Sequence, residues 1–384
     1  MLVGSYGELF SKENYMVAIK RSKTMSIRAG LEDKIIRMPA VLREKLAVNL
    51  GEFVVINKVA LQVDRVYKAD RLESGVSAFV TNKVLKQIGV ALDTLSVTKH
   101  ITMGCDPEFF LVDTSTRQLY NPGFLFPKNG PVGFDGMLAE IRPRPSINQG
   151  EVTRNIFDLL TQVRGTIKAK GLTNVRMVAK SSGWNLFAGF HVHLGIPGNL
   201  LNPAQKGYGK ILRIIIKALD YYVGTMAVLA EGNDCGRRVA PFVAYGKVSD
   251  FRVSTHIRTL EYRVPGGALM RHPGLAHGLL SLCSMVAHDV IERLRIFTED
   301  FSRDITKEED EILLYLYPNA LCTHDMFDVI CSPSLKRPED EAVKIKQDLG
   351  YMINHGCYKD AIDDFIKLSQ TPLSEDVWKN WSSY

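Results

Sequence analysis

The sequence predicts an α+β protein in which a curved, mainly antiparallel sheet is backed by helices, with a small β-rich domain before it and a helical segment after it. Three observations carry this expectation. Four short stretches alternate ionisable and apolar residues with the two-residue period of a strand, long runs between them carry apolar residues at helical spacing, and the first hundred residues differ in texture from the remainder.

The first of these regions, residues 1–98, holds short β-prone runs such as Phe53 to Ile56, Val59 to Val66 and Ser77 to Val80. They are joined by helical turns at Pro39 to Leu46 and Asn82 to Ile88, and the order resembles half of a double-psi or swapped-hairpin barrel. Of the net charge of +6, the excess lies here, with 16 Lys and Arg against 10 Asp and Glu in residues 1–100 and 32 against 32 thereafter. A basic segment is either a solvated surface or a contact for an anionic partner such as nucleic acid.

Residues 99–304 contain the four alternating stretches. Met103 to Val112 pairs Asp106 with Glu108, Gly136 to Pro143 pairs Glu140 with Arg142, Ala188 to Pro197 pairs His191 with His193, and Thr259 to Pro265 pairs Glu261 with Arg263. In a strand, side chains at i and i+2 share a face, so each stretch sends two ionisable groups one way and its apolar residues the other. Four such strands line one sheet face with three Glu, one Asp, two His and two Arg. Buried charges must be paired or metal-bound, so this face is expected to be an open active-site floor rather than a dry core.

Helices fill the intervals. Glu151 to Lys170 places Val152, Ile156, Leu159, Val163 and Ile167 on one side, and Pro203 to Leu229 and Pro273 to Phe297 are long and apolar-rich. Residues 305–384 read as helices broken at Ser332-Pro-Ser and Thr371-Pro, packed on the catalytic domain. The acidic run Glu308 to Glu311 is the solvated first turn of one of them, where negative charge suits the helix dipole.

Carboxylates with one or two imidazoles suit Mg²⁺ or Mn²⁺, and arginines beside such ions suit the phosphates of a nucleotide such as ATP. Arg237, Arg238 and Arg252, in a stretch rich in loop residues, are placed to close on phosphates. Phosphate-binding Gly-x-x-x-x-Gly-Lys and Gly-x-Gly-x-x-Gly turns are absent from the sequence, as is any Cys-x-x-Cys pair among its six cysteines. No apolar run reaches the ~18 residues of a bilayer span, and the N-terminus lacks signal-peptide order, so a cytoplasmic protein without membrane contact is expected.

The order Asp-x-Glu, Asp-Gly-x-x-x-Glu-x-Arg-Pro, Gly-x-His-x-His-Leu, Arg-Arg…Tyr-Gly and Glu-x-Arg, spread over residues 100–300, resembles the glutamine-synthetase-like carboxylate–amine ligases. It is closest to the phage and bacterial amidoligases whose first motif reads Gly-x-Asp-Pro-Glu-Phe-Phe. The resemblance implies a glutamine-synthetase-like sheet and an ATP-dependent ligase joining a small-molecule or peptide carboxylate to an amine through an acyl phosphate, in the host cytoplasm if phage-encoded. It also implies that Glu108, Glu140, His191 and Glu261 ligate metal, with Asp106 in a slot that is often Glu. By the same likeness His193 approaches the carboxylate substrate or the γ-phosphate, Arg263 with Arg237 or Arg238 holds phosphates, and Arg142 serves the reaction. Arg258 stands three before Glu261, where the synthetases have an arginine two before.

Two other readings compete. A small-molecule kinase of the guanidino type would release ADP without forming an amide, and a non-catalytic virion or nucleic-acid-binding protein would turn over no nucleotide. Singly, each pair also has a plain reading: structural histidines, a turn at Asp106-Pro107, or ion pairs within Glu140–Arg142 and Glu261–Arg263.

Overall fold

The structure, a computed structural model, describes residues 101–196, 208–241, 245–254, 259–297, 307–352 and 355–384, together with the strand backbones of the N-terminal region. The chain divides into two units, Met1–Lys99 and His100–Tyr384. In the first, seven strands are described: β1 (Val3–Gly4), β2 (Glu8–Phe10), β3 (Met16–Arg21), β4 (Ile35–Met38), β5 (Phe53–Ile56), β6 (Val59–Arg65) and β7 (Ser77–Val80). They form one sheet in the order β1-β2-β3-β7-β4-β6-β5. The helical turns and the barrel expected for this region lie outside the described residues.

The second unit is built on β8 (Thr102–Asp113), a twelve-residue strand that most of its sheet pairs with directly. The others are β9 (Gln118–Leu119), β10 (Val132–Asp135), β11 (Leu138–Ile141), β12 (Val175–Val178), β15 (Phe190–Gly195), β16 (Phe251–Ser254) and β17 (Thr259–Tyr262); a separate hairpin pairs β13 (Ser182–Gly183) with β14 (Leu186–Phe187). The main path runs β10-β11-β8-β15-β17-β16, with β9 and β12 also paired to β8, and every pairing is antiparallel. This is the expected α+β architecture.

One face of this sheet is apolar, as the alternation requires. Met103, Cys105, Phe109 and Leu111 of β8, Phe190, Val192 and Leu194 of β15, and Leu260 and Tyr262 of β17 are all buried in one core. Helix α1 (Gln149–Ala169) starts where the Asn148 side chain accepts the Glu151 N–H, and buries Val152, Ile156, Leu160, Val163 and Ile167. Leu160 takes the buried place expected for Leu159, which is only partly covered.

Next, α2 (Tyr208–Leu219) passes through one turn of π-helix at Asp220–Gly224 into α3 (Thr225–Glu231), and α4 (Gly236–Val239) is a single turn. Helix α5 (Pro273–Phe297) crosses the core. Its stretch Pro273–Arg295, with mean hydropathy 1.3, is long and apolar enough to cross a bilayer, but 83% of that window is buried inside the fold, as for a core helix.

Five helices follow in the same unit: α6 (Glu309–Leu316), α7 (Thr323–Ile330), α8 (Lys336–Leu349), α9 (His355–Ser369) and α10 (Val377–Trp381). The acidic run does open a helix, with Glu309 bound to Arg213 and Asp310 to Lys217.

The π-helical turn presents Asp220 to the loop that precedes β16. Its carboxylate accepts from the Ser249 N–H (2.8 Å) and the Tyr262 hydroxyl (3.0 Å). Burial pushes this carboxyl up from 3.8 to about 7, against the pull of those bonds. The folded state therefore keeps a proton that the unfolded chain releases, and this contribution to stability is full below pH 3.8 and lost as pH rises through about 7. We expect the urea midpoint of the wild type to fall more steeply between about pH 5 and 8 than that of Asp220→Asn; parallel curves would show that the proton is not held.

Candidate active site

The register of the sheet sets the polar face. Glu140 of β11 lies opposite Glu108 of β8, Asp106 of β8 opposite His191 of β15, His193 opposite Glu261 of β17, and Glu261 opposite Arg252 of β16. Residues opposite one another in an antiparallel ladder share a face, as do residues two apart in one strand. All seven therefore stand on one floor, and Arg142 and Arg263 continue it one step past the ends of β11 and β17.

At the centre, His193 Nε2 lies 2.9 Å from Asp106 Oδ1. His191 Nδ1 lies 3.6 Å from the same oxygen and 3.7 Å from Glu261 Oε1. Asp106, His193 and Glu261 each offer a ligand atom, all mutually within 4.8 Å. A pair of carboxylates and an imidazole, with a second imidazole beside them, fits a hard divalent ion that tolerates nitrogen. Glu108 and Glu140 stand one pleat away, Glu140 in contact with Arg142 and Glu108 accepting the Gly189 N–H at 2.6 Å.

The charge balance points the same way. Burial, and then the neighbouring charge of Asp106, push the Glu140 carboxyl up to about 8 despite Arg142. Burial alone would raise Asp106, but the two imidazoles facing it, His191 and His193, outweigh that and hold it well below the usual carboxylate range. His193, which burial alone would lower, is raised by its bond to Asp106 and by the charges of Asp106, Glu261 and Glu140. The carboxylates crowd one another closely enough to hold a proton on Glu140 near neutral pH, a repulsion that a divalent ion among them would relieve.

The arginines divide into two groups. Arg142 donates to the Gly130 carbonyl (2.9 Å) as well as contacting Glu140, and Arg263 sits against Glu261 (3.1 Å) and Asp250 (3.5 Å). Arg252 is exposed on β16, a strand rather than the expected loop. Arg237 and Arg238, also expected on a loop open to phosphates, stand instead on the single turn of α4 and are 1% and 2% exposed.

The physical reason is hydrogen bonding: Arg237 donates to the carbonyls of Val264 and Arg263, and Arg238 to those of Asp234 and Gly232, so both guanidiniums serve the backbone. Arg258 lies outside the described residues.

Tyr245 is the residue that sequence reasoning left without a role. Its hydroxyl meets both Glu108 Oε2 (2.8 Å) and His191 Nε2, and its ring lies beneath the guanidiniums of Arg237 (4.3 Å) and Arg263 (4.6 Å). Its signal in the sequence was the Arg-Arg…Tyr-Gly motif, where it precedes Gly246, whose φ of +76° and closeness to Arg237 favour glycine. Beyond Glu108 the same face turns apolar: Phe110, Val112, Leu138 and Ala188 form a small buried cluster under the β13–β14 hairpin, with the Trp184 ring 5.2 Å from Phe110.

Gly189 is closely enclosed by the floor. A Cβ there would lie 2.3 Å from His191 Nε2 and 2.7 Å from the Tyr245 hydroxyl. Overpacking of this kind costs about 1–3 kcal/mol, so Gly189→Ala is expected to lower the melting temperature by several degrees and to displace His191 from the floor. A crystal structure of that variant with His191 in place would refute this.

Carboxylates, imidazoles and guanidiniums are thus gathered on one face of an antiparallel sheet backed by helices, with Glu108, Glu140 and His191 buried and Asp106, His193 and Glu261 partly so. Residues 103–309 match the family model described as phage phiEco32-like COOH.NH2 ligase-type 2, and the chain belongs to that family.

Among solved structures it is similar to a bifunctional glutathione synthetase from Pasteurella multocida, at 11% identity and TM-score 0.36 over 71% of this chain and 52% of that one. It is similar also to a novel glutamine synthase homolog, at 12% and 0.39 over 74% and 71%, and to the chain of a GmaS/ADP complex, at 13% and 0.40 over 86% and 81%. The chain thus spans about half the length of the glutathione synthetase. No curated protein matches the sequence.

Proposed function

We propose that this protein is an ATP-dependent ligase that joins a small-molecule or peptide carboxylate to an amine through an acyl phosphate. The observation that carries the reading is the strand register, which brings Glu140, Glu108, Asp106, His191, His193 and Glu261 onto one floor with Arg142, Arg252 and Arg263 at its margins. Membership of the COOH.NH2 ligase family supports it.

Asp106, Glu261 and the imidazoles of His191 and His193 would hold Mg²⁺ or Mn²⁺, with Glu108 and Glu140 beside them; the bound ion would supply charge stabilisation to the transferring phosphoryl group. Arg142, Arg252 and Arg263 line the floor where guanidiniums can pair with phosphate oxygens, and Arg263 is oriented for this by Glu261 and Asp250. A substrate carboxylate oxygen attacks the γ-phosphorus and ADP leaves. The amine then attacks the acyl carbon, and phosphate leaves. Such chemistry needs no protein nucleophile, in keeping with Cys105, which faces the core with its thiol pushed far up by burial.

The test is ADP and phosphate release from ATP and Mg²⁺ with pooled carboxylic acids, with hydroxylamine as the trapping amine and Glu108→Gln as the control. Acid-dependent ADP release with formation of a hydroxamate is expected, and the control should lose both. ADP release that yields no hydroxamate would favour a kinase, and no nucleotide turnover with any acid would overturn the reading.

A further inference from the structure

We propose that Tyr245 is a positioning residue for the cation: its hydroxyl fixes His191 in the tautomer whose bare Nδ1 faces Asp106 and Glu261. This rests on the cation site described above and adds to it the group that sets one ligand's protonation. The argument is an inventory of protons. A tyrosine hydroxyl has one hydrogen to give and lone pairs to accept with, while a carboxylate only accepts.

Glu108 Oε2 takes the Gly189 N–H at 2.6 Å and the Tyr245 hydroxyl at 2.8 Å, so the single hydroxyl proton is committed to Glu108. Toward His191 Nε2 the same oxygen can only accept, so Nε2 carries the ring hydrogen. In neutral imidazole the other nitrogen is then bare, and Nδ1 points its lone pair at two carboxylate oxygens, 3.6 and 3.7 Å away. Both distances exceed a hydrogen bond. Three electron-rich atoms turned on a common point make a place for a cation, and the tautomer of a ligating histidine is commonly set through its other nitrogen.

The hydroxyl is held in place by more than its own bonds. The tyrosine ring is flanked by Arg237 and Arg263, and Arg237 is tied to the carbonyls of Arg263 and Val264. The Gly246 N–H donates to Asp250 at 2.6 Å, and the Ser249 N–H donates to buried Asp220. On the other side, the backbone at Gly189 leaves room for the Tyr245–His191 pair and for no side chain. A phenylalanine would keep the ring and its cation–π contacts and lose only the hydroxyl.

That substitution is the test, with two readouts apart from turnover. In metal-free wild type labelled with ¹⁵N-histidine, the His191 signals, assigned by their loss in His191→Gln, are expected to be those of the Nε2–H tautomer. Signals of an Nδ1–H tautomer, at any pH where the ring is neutral, would overturn the proposal without any variant. In Mn²⁺ titrations followed by electron paramagnetic resonance, Tyr245→Phe is expected to weaken binding about 10–100-fold, with the metal-free melting temperature within a few degrees of wild type. Equal affinity in the two proteins overturns the role of Tyr245 while leaving the cation site standing. No Mn²⁺ binding by the wild type overturns the cation site and this proposal with it.

Discussion

Asp106→Asn is expected to lower ligase turnover by about 10²–10³ or more while leaving the fold intact. Among the described residues Asp106 is the carboxylate within 4 Å of both imidazoles, at 2.9 Å to His193 and 3.6 Å to His191, and its ligand atom lies within 4.8 Å of those of His193 and Glu261. The amide is close in shape, so packing is kept, but it removes a negative charge from the middle of the site and offers an N–H₂ where an acceptor stood. Glu140, whose carboxyl is pushed up partly by the charge of Asp106, should ionise more readily in the variant. The measurement is steady-state ADP release with circular dichroism as the fold control. Turnover within threefold of wild type would remove Asp106 from the site.

Trp381→Ala is expected to cost about 3–5 kcal/mol and to lower the melting temperature by roughly 10 °C. The indole is fully buried near the chain's end, and its Nε1–H donates to the Met270 carbonyl at 2.8 Å. Next to it, Asn380 donates to the carbonyls of Arg271 and Ser374. These bonds hold the turn Gly267–Arg271, which follows β17 and lies against the backbone of the floor: a Cβ on Gly267 would sit 2.8 Å from the Glu108 carbonyl oxygen. Alanine leaves a cavity and an unpaired carbonyl together. A loss below about 1 kcal/mol in denaturant titration would mean that the last helix merely rests on the surface.

The sheet was legible because alternation in β8, β11, β15 and β17 is written in single residues: Cys105, Phe109, Val192 and Leu260 had to face a core if Asp106, Glu108, His193 and Glu261 faced a site. That these faces would meet was a matter of register, which no one strand encodes, and pairings such as Glu108 with Glu140 come from long-range closure. The helices over Gln149–Ala169 and Pro273–Phe297 followed from their apolar residues, and two of the breaks between the C-terminal helices, at Ser332-Pro-Ser and Thr371-Pro, from their prolines.

Arg237 and Arg238 were misjudged as loop residues because nothing in Cys-Gly-Arg-Arg-Val signals that backbone carbonyls will claim the guanidiniums. Tyr245 stood in the Arg-Arg…Tyr-Gly motif yet received no role, for the converse reason. Its importance lies in two partners, Glu108 and His191, that are 137 and 54 residues away in the chain.

β8 is shared by the core and the site, and this limits how the gene can vary in length. Dropping or adding a single codon just before Cys105 would exchange the two sides of the strand beyond it, driving Asp106 and Glu108 inward and turning Cys105 and Phe109 out to water. Lineages should therefore tolerate indels at exposed bends such as Gly136 and Gly171, both at positive φ with open space around them, and reject them along the spine.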